Sequence, residues 1–186
     1  MHITILNGNP SAERDAFDSY LGAVRDLAER RGHDVTPLVL RDLAIEPCVG
    51  CFGCWVKRPG ECVFSDASAD VCRAVIASDL TVFASPLIMG FVSAVTKKAM
   101  DKLIPLVHPY FAVIRNETHH RKRYERYPAL GLILDKGRDG AAEDFAITQR
   151  LFERYSINFH GPLLFTRSTE ADPKEVADAI DAACGA

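Results

Sequence analysis

The hydrophobic positions of this 186-residue chain change repeatedly between two spacings along the sequence. Short, continuously apolar segments are typical of buried strands, whereas apolar residues spaced three and four positions apart are typical of helices. Five segments have the strand pattern: HITIL near the N-terminus, HDVTPLVL, LTVFAS, ALGLILD and GPLLFT. Pro37 lies within the second segment and cannot donate a ladder hydrogen bond, so we expect that strand at an edge of the sheet.

A helical spacing of apolar residues follows each predicted strand, at residues 17–28, 71–76, 92–103, 141–155 and 176–183. Gly32 is expected to end the first helix, and Asp66 is expected to cap the second. The third helix has its apolar side chains on one face, and Lys97, Lys98 and Lys102 are expected largely on the opposite face. The chain therefore alternates between strands and helices throughout.

This alternation predicts one α/β domain over residues 1–186, in which right-handed crossovers join the strands of a parallel sheet. Five strands in this length favour a doubly wound five-stranded parallel sheet of the flavodoxin-like type, with strand order 2-1-3-4-5. Ligands of such sheets bind beyond the carboxyl ends of the strands, where the strand order reverses. We therefore expect NGNPS, after the first strand, to lie beside SPLIMG, after the third. A cysteine-rich segment follows the second strand and should emerge at the same edge.

Composition excludes several classes of protein. The formal charge of −3 shows no overall basicity, so we expect no nucleic-acid partner. No apolar run approaches the roughly 20 residues that span a bilayer, so no membrane partner is expected. The first residues, MHITILNGNP, lack the features of a signal peptide. We expect a cytoplasmic protein, in which clustered thiols more often serve metal or redox chemistry than disulfides.

Two of the loops at the expected ligand edge have chemistry of their own. GNPS opens a helix, whose free amides and positive dipole end favour an anion such as phosphate, although an ordinary capped turn has the same pattern. In SPLIMG, Pro86 and Gly90 bracket three apolar residues at a strand end. A flat ring such as isoalloxazine could lie on them. The alternative is a loop that enters the next helix with its apolar residues packed inward.

A family resemblance rests on NGNP, on SPLIMGFVSAVTKKAMDKLIPL and on the compact cysteine run CVGCFGCWVKRPGEC. Together they resemble the NAD(P)H-dependent FMN reductases and, more narrowly, the iron–sulfur flavoproteins, over residues 2–135. The resemblance implies FMN as cofactor, NAD(P)H as substrate, and a homodimer or homotetramer in which a neighbouring subunit helps to close the flavin site. It implies an FMN-binding set of Asn9, Pro10 and Ser11 for the phosphate and Pro86, Leu87, Ile88, Met89 and Gly90 for the ring.

The chain departs from that family at the phosphate loop. Related reductases usually have several hydroxyl, amide or guanidinium donors there, whereas Ser11 and Arg14 are the obvious donors in NPSAERDAFD. Glu13, Asp15 and Asp18 are close in sequence, and carboxylates near a phosphate dianion repel it unless they point away. We therefore expect weak FMN binding, or a flavin that exchanges as a substrate.

The cysteine segment has the spacing C-x2-C-x2-C-x7-C, formed by Cys48, Cys51, Cys54 and Cys62. This spacing resembles the motif of iron–sulfur flavoproteins, in which a turning loop presents thiolates to a [4Fe–4S] cluster. Zinc also binds four thiolates, but its structural sites usually have two separated ligand pairs. Unligated thiols are the third interpretation. Cys72 and Cys184 fall on predicted helices and are expected to be core residues.

A cationic stretch, RNETHHRKRYERYP at 115–128, separates the third helix from the fourth strand. A solvated loop is the expected structure of such a charge run. The alternative is a site for the adenosine 2′-phosphate of NADPH at Arg121, Lys122 and Arg123. His119 and His120 are adjacent rather than four residues apart, so we do not expect zinc there.

These features predict an FMN-dependent oxidoreductase that passes hydride from NAD(P)H to flavin and electrons onward to a quinone, a free flavin, a metal ion or an acceptor reached through the cluster. Because the cofactor supplies the reactive atom, no catalytic side chain is predicted. Two alternatives remain: an electron-transfer protein that binds nicotinamide unproductively, and a flavodoxin-like scaffold that has lost FMN.

Overall fold

The computed structural model describes residues 1–13, 15–137 and 141–183. Arg14, expected to contact phosphate, and Cys184, expected in the core, lie outside the described residues. The described strands are β1 (His2–Asn7), β2 (Asp34–Val39), β3 (Leu80–Ile88), β4 (Phe91–Val92), β5 (Val107–Ile114), β6 (Glu117–Lys122), β7 (Ala129–Asp135) and β8 (Leu163–Ser168). The described helices are α1 (Asp15–Arg30), α2 (Gly53–Val56), α3 (Ser68–Ala77), α4 (Ala94–Asp101), α5 (Ala142–Phe159) and α6 (Pro173–Ala183).

Five parallel strands form the main sheet in the order β2-β1-β3-β7-β8. Numbered among themselves along the chain, these strands have the order 2-1-3-4-5, so the predicted doubly wound fold is confirmed. Pro37 lies on β2, the edge strand, opposite Ile5 of β1. The order reverses between β1 and β3, and the loops that follow β1, β2 and β3 therefore leave the sheet at its carboxyl edge.

Helices cover both faces of this sheet, and each face has its own hydrophobic core. Phe83 and Leu132 contribute to the core that also includes Phe152 of α5. Val82 and Ile133, which alternate with them along the strands, contribute to the other core with residues of α1 and α6. All four strand residues are fully buried, as expected for a parallel sheet covered on both faces.

The segment that follows the third predicted strand differs from the prediction. We expected strand residues at 80–85 and a loop at 86–90, but β3 continues through Ile88. The chain then turns at Met89 and Gly90, both of which have positive φ angles, and returns as β4. The expected loop is therefore a short β-hairpin. Two residues with positive φ are what a tight hairpin turn requires.

The cationic stretch also differs, because the expected solvated loop forms the second strand of an antiparallel hairpin. β5 and β6 pair around a turn at Arg115 and Asn116, which have φ angles of 52° and 62°. Trp55 ties this hairpin to the cysteine segment, because its Nε1 donates a hydrogen bond to Val107 O at 3.0 Å. No helix in the described part of the chain is long and apolar enough to cross a membrane.

Candidate flavin and cysteine sites

Backbone atoms of Gly8, in the loop after β1, bond to β3 and to the residue that precedes α4. Gly8 N donates a hydrogen bond to Ala84 O at 2.7 Å, and Ser93 Oγ donates to Gly8 O at 2.5 Å. A Cβ atom on Gly8 would lie 1.7 Å from Oγ1 of Thr96, which no packed side chain tolerates. A residue without a side chain is therefore required where the two loops of the carboxyl edge meet.

The turn after Gly8 is held by side chains that bond to nearby amides. Asn9 is buried, its amide donates to Asn7 Oδ1 at 2.9 Å, and its Oδ1 accepts from Ser11 N at 3.2 Å. Ser11 Oγ accepts from Glu13 N at 3.2 Å, while Pro10 is exposed. These side-chain turns fix the loop in front of α1. The predicted phosphate residues Asn9, Pro10 and Ser11 therefore form one compact turn at the carboxyl edge.

A cation that the sequence analysis missed lies beside this turn. Arg41, in the loop after β2, is 2.9 Å from Asp18 Oδ2, and its Nη1 donates to Asn9 O at 3.3 Å. Burial opposes the charge of Asp18, but hydrogen bonds from Asn7, Asn9 and Arg41 outweigh it and lower its pKa. One of the three carboxylates expected to repel phosphate is thus paired. The available signal was a basic residue directly after the second predicted strand.

The predicted ring-binding residues form the β3–β4 hairpin at the same edge. Pro86 is buried and Leu87 partly buried, whereas Ile88 is 37% exposed and Met89 is fully exposed. Gly90 has a φ of 80°, and a Cβ there would approach Asp144 Oδ1 to 3.1 Å. The hairpin therefore has an apolar tip at the same carboxyl edge of the sheet as the turn at 9–11.

The four cysteines of the motif line one cavity of about 400 Å³, which we call the cysteine cavity. All four are free thiols; Cys48 and Cys51 are exposed, Cys54 is buried and Cys62 is partly buried. Burial raises the pKa of the Cys54 thiol, and the other three thiols raise it further. Within the described residues, no group of three or more histidine, cysteine or acidic side chains is arranged to hold a single metal ion.

The backbone of the cysteine segment is tightly wound. Gly50 and Phe52 have φ angles of 64° and 56°, and Gly53 N donates to Cys51 Sγ at 3.5 Å. A Cβ on Gly53 would lie 2.6 Å from Cγ1 of Val63, the neighbour of Cys62 in sequence. Close contact at Gly53 therefore brings the last cysteine back to the first three.

Lys102 was expected on the polar face of the third predicted helix, and this expectation is wrong. The residue is 2% exposed, and its Nζ lies 2.9 Å from Asp66 Oδ2 and 3.4 Å from Cys62 Sγ. Burial opposes its charge, but hydrogen bonds to Asp66 and Cys62 outweigh it and raise its pKa. Asp66 also accepts from Ser68 N at 2.9 Å, but the N-cap residue of α3 is Ala67, so Asp66 lies one residue before the cap position for which it was predicted.

The other predicted residues are distributed more widely. Arg121 bonds to Phe111 O within the β5–β6 hairpin, whereas Lys122 and Arg123 line two different cavities. The structure thus does not bring these three cations together into one phosphate site. Cys72 of α3 is largely buried, which raises its pKa to about 12, and its Sγ donates to Lys102 O. It is a packed thiol, as predicted.

A doubly wound parallel sheet with open loops at its switch point defines a flavodoxin-like protein. Within that class, a family model described as NADPH-dependent FMN reductase matches residues 1–142. The chain belongs to the NADPH-dependent FMN reductase family.

Two relatives match about half of the chain. An iron–sulfur flavoprotein of Methanocaldococcus jannaschii is 29% identical over 106 residues, which cover 57% of this chain and 53% of the relative. An iron–sulfur flavoprotein of Archaeoglobus fulgidus is 32% identical over 101 residues, which cover 54% of this chain and 44% of the relative. The chain therefore matches about half the length of these relatives.

Among solved structures, the chain is similar in fold to an FMN-dependent NADH-azoreductase from Bacillus anthracis in complex with FMN. The TM-score is 0.60 at 14% identity, and the match covers 99% of this chain and 98% of the other.

Replacement of Lys102 tests whether the buried ion pair supports the cysteine segment. Lys102→Met should lower the free energy of unfolding by ~3–5 kcal/mol, because Asp66 would remain as a buried, unpaired carboxylate. Lys97→Met is the matched control, since Lys97 forms an exposed pair with Asp101 and its loss should cost less than ~1 kcal/mol. Urea denaturation measures both; equal losses would contradict the assigned role of Lys102.

Proposed function

We propose that this protein is an FMN-dependent oxidoreductase that takes electrons from NAD(P)H and passes them to an acceptor through a cluster bound by its four cysteines. One observation carries the first part: the loops after β1 and β3 meet at Gly8 and Ser93, at the switch point where sheets of this class bind ligands. Membership of the FMN reductase family supports the same conclusion.

The residues at this edge fit a flavin mononucleotide. Asn9, Pro10 and Ser11, with Arg41 beside them, would hold the phosphate, because the turn precedes the N-terminus of α1 and adds a guanidinium group. The β3–β4 hairpin would support the ring, since it offers an apolar tip together with backbone amides. Gly8 has no side chain at the point where the two loops approach most closely.

FMN, when bound, accepts a hydride from a nicotinamide and releases electrons singly or in pairs. The contribution of this chain is to bind, orient and shield. The fixed turn at Asn9 positions the phosphate. The contact between Gly8 and Ser93 fixes the distance between this turn and the β3–β4 hairpin that would support the ring. No acid or base side chain is required, because the cofactor supplies the reactive atom.

The cysteine cavity fits a polynuclear cluster better than a single ion. Zinc needs its four ligands to converge on one point at about 2.3 Å, whereas each thiolate of a [4Fe–4S] cluster reaches a different iron. The four thiols line one cavity, which supports the second arrangement. The amide of Gly53 near Cys51 and the ammonium of Lys102 near Cys62 supply the donors that anionic sulfur attracts.

A second function, electron transfer to a protein partner, is favoured by a specific observation. Three large apolar side chains of the cysteine segment are more than half exposed: Val49 at 67%, Phe52 at 60% and Val56 at 75%. Exposed apolar groups beside exposed thiols are suited to docking of another protein. This alternative differs from the first in one respect, because nicotinamide would not reduce the flavin.

A homo-oligomer remains part of the proposal. Met89, at the tip of the ring platform, is fully exposed, and Tyr110 and Val113 of β5 are 66% and 76% exposed. A second subunit that covered these side chains would close the flavin site, as the family resemblance implies. The described residues alone leave the platform open on that side.

Substitution of Arg41 tests the phosphate turn. Arg41→Gln removes the cation and leaves Asp18 unpaired next to the turn, so the Kd for FMN should rise about tenfold at low ionic strength and less in concentrated salt. Flavin fluorescence quenching measures the Kd. Arg25→Gln is the matched control, because Arg25 pairs with Asp26 on the surface of α1. Equal affinities of the wild type and the Arg41 variant at both salt concentrations would place the phosphate elsewhere.

Anaerobic absorption spectroscopy tests the reaction. The purified protein is first supplied with FMN. Its flavin absorption should then be lost almost completely during mixing with excess NADH or NADPH, because a bound nicotinamide can reduce the ring. If dithionite bleaches the flavin but neither nicotinamide does, the protein-to-protein alternative is correct. A protein that binds no FMN would be a scaffold.

The cluster is tested by iron and sulfide analysis of protein prepared without oxygen. Cys51→Ser should remove iron and acid-labile sulfide together, while FMN remains bound by other loops. Cys72→Ser is the control, because Cys72 bonds to Lys102 O and does not belong to the motif; its iron content should be unchanged. Wild-type protein that carries flavin but no stoichiometric iron after anaerobic reconstitution would contradict the assignment. One zinc per chain would favour a tetrahedral thiolate site.

A further inference from the structure

A second cavity, of about 450 Å³, lies next to the cysteine cavity. We call it the arginine cavity, because Arg58, Arg73 and Arg123 line it. The two cavities share a wall formed by Cys62, Phe64 and Pro105, which line both of them. An occupant of the arginine cavity would therefore lie against one of the four thiols of the motif.

The charges in the arginine cavity leave guanidinium groups for an anionic ligand. Arg73 is paired with Asp70, but Arg58 and Arg123 form no ion pair within the described residues. Two acidic side chains, Glu61 and Asp66, also line the cavity. Asp66 is already compensated by Lys102, so two unpaired guanidinium groups face one carboxylate, that of Glu61.

Arg123, which lines this cavity, is held in a fixed position. Its Nε donates to Pro105 O at 2.8 Å and its Nη2 lies 3.4 Å from Val107 O, which leaves Nη1 without a hydrogen bond to the described residues. The side chain lies across Gly60, whose missing Cβ would be 3.6 Å from Cδ of Arg123. A preorganised guanidinium binds an anion with little further loss of conformational entropy.

The remaining lining is aromatic and apolar. Phe64 is 48% exposed and Tyr124 is 37% exposed, and both belong to the cavity together with Leu106 and Ile76. Such side chains accept a flat ring, while guanidinium groups at the rim select a negative substituent. The combination is specific for an aromatic anion rather than for an inorganic one.

We propose that the arginine cavity binds an anionic aromatic electron acceptor, such as a quinone that carries a carboxylate or sulfonate group. The proposal rests on the proposed function, because the shared wall at Cys62 would bring the acceptor next to the cluster. The reaction balances as NAD(P)H, a proton and the quinone giving NAD(P)⁺ and the hydroquinone. The two electrons would reach the acceptor from the cysteine side, and both ring oxygens would take their protons from solvent. The hydrogen delivered to the flavin as hydride would return to solvent as a proton when the flavin is re-oxidised.

Binding is measured first, on the oxidised protein without nicotinamide, by isothermal titration. The probe is anthraquinone-2-sulfonate, and 2-(hydroxymethyl)anthraquinone is its uncharged counterpart. Arg58→Gln should raise the Kd for the sulfonate about tenfold, the value of one charge-assisted hydrogen bond, and should leave the Kd for the uncharged ring unchanged. Arg58 is exposed and has no ion pair in the described part of the chain, so its replacement should not affect folding.

The matched control is Lys57→Gln, which removes the same charge at the neighbouring position. Lys57 lines neither cavity. It should leave both Kd values unchanged. In turnover, Arg58→Gln should raise KM for the sulfonate with kcat unchanged. Equal affinity of the wild type for the charged and uncharged rings, or equal effects of the two substitutions, would overturn the proposal.

Two outcomes separate this inference from the proposed function. If adenosine 2′,5′-bisphosphate displaces the sulfonate at comparable concentration, the cavity holds the nucleotide end of NADPH, and the acceptor assignment is wrong. If NAD(P)H bleaches the flavin and iron is present but the sulfonate does not bind, the inference fails while the proposed function stands. Binding that depends on Arg58 in protein that carries no iron after anaerobic reconstitution would support the cavity and contradict the cluster.

Discussion

The buried ammonium group of Lys102 is the interaction on which the cysteine segment depends. It bonds to Asp66 on one side and to Cys62 on the other, and it lies 5.5 Å from the centre of the Phe64 ring. A charge in such a position is costly unless it is paired, so Lys102 and Asp66 stabilise each other. Because Asp66 also accepts a hydrogen bond from Ser68 N at the start of α3, the pair connects the end of the cysteine segment to two helices of the core.

The helix that precedes Lys102 relates the two candidate sites. α4 begins after Ser93, which bonds to Gly8 in the loop after β1, and ends just before Lys102, which bonds to Cys62. In between, Lys98 donates to Ile45 O at 2.8 Å, in the chain that leads to the first cysteine. The helix has eight residues, which corresponds to ~12 Å of rigid separation. The distance between the loop after β1 and the cysteine cavity is thus fixed by a single element.

The parallel sheet was predictable from sequence because its central strands, β1, β3 and β7, are buried on both faces and therefore largely apolar. The β5–β6 hairpin was not, because a two-stranded ribbon outside the main sheet has polar residues such as those of ETHHRK on its strands and resembles a solvated loop. The continuation of β3 past Pro86 was missed because proline is uncommon within strands, yet here its partner is Asp135 at the end of β7.

The candidate site was predictable in its loops but not in its cations. Periodicity assigned Lys102 to a polar face, since a helix pattern contains no information on Asp66, 36 residues earlier in the chain. Arg41 was missed for the same reason, because it lies in the loop after β2 and its partner Asp18 lies on α1. Both ion pairs join segments that are distant in sequence and become neighbours only after the sheet has formed.

The same dependence on tertiary contacts explains why the cysteine motif has two sides. The spacing of Cys48, Cys51 and Cys54 is local, and a turning loop is sufficient to gather them. Cys62 is different, because contact of Val63 with Gly53 and the bond to Lys102 bring it back against the core. As a consequence, Cys62 faces both the cysteine cavity and the arginine cavity. Cys62 therefore belongs both to the cysteine motif and to the wall that the two cavities share.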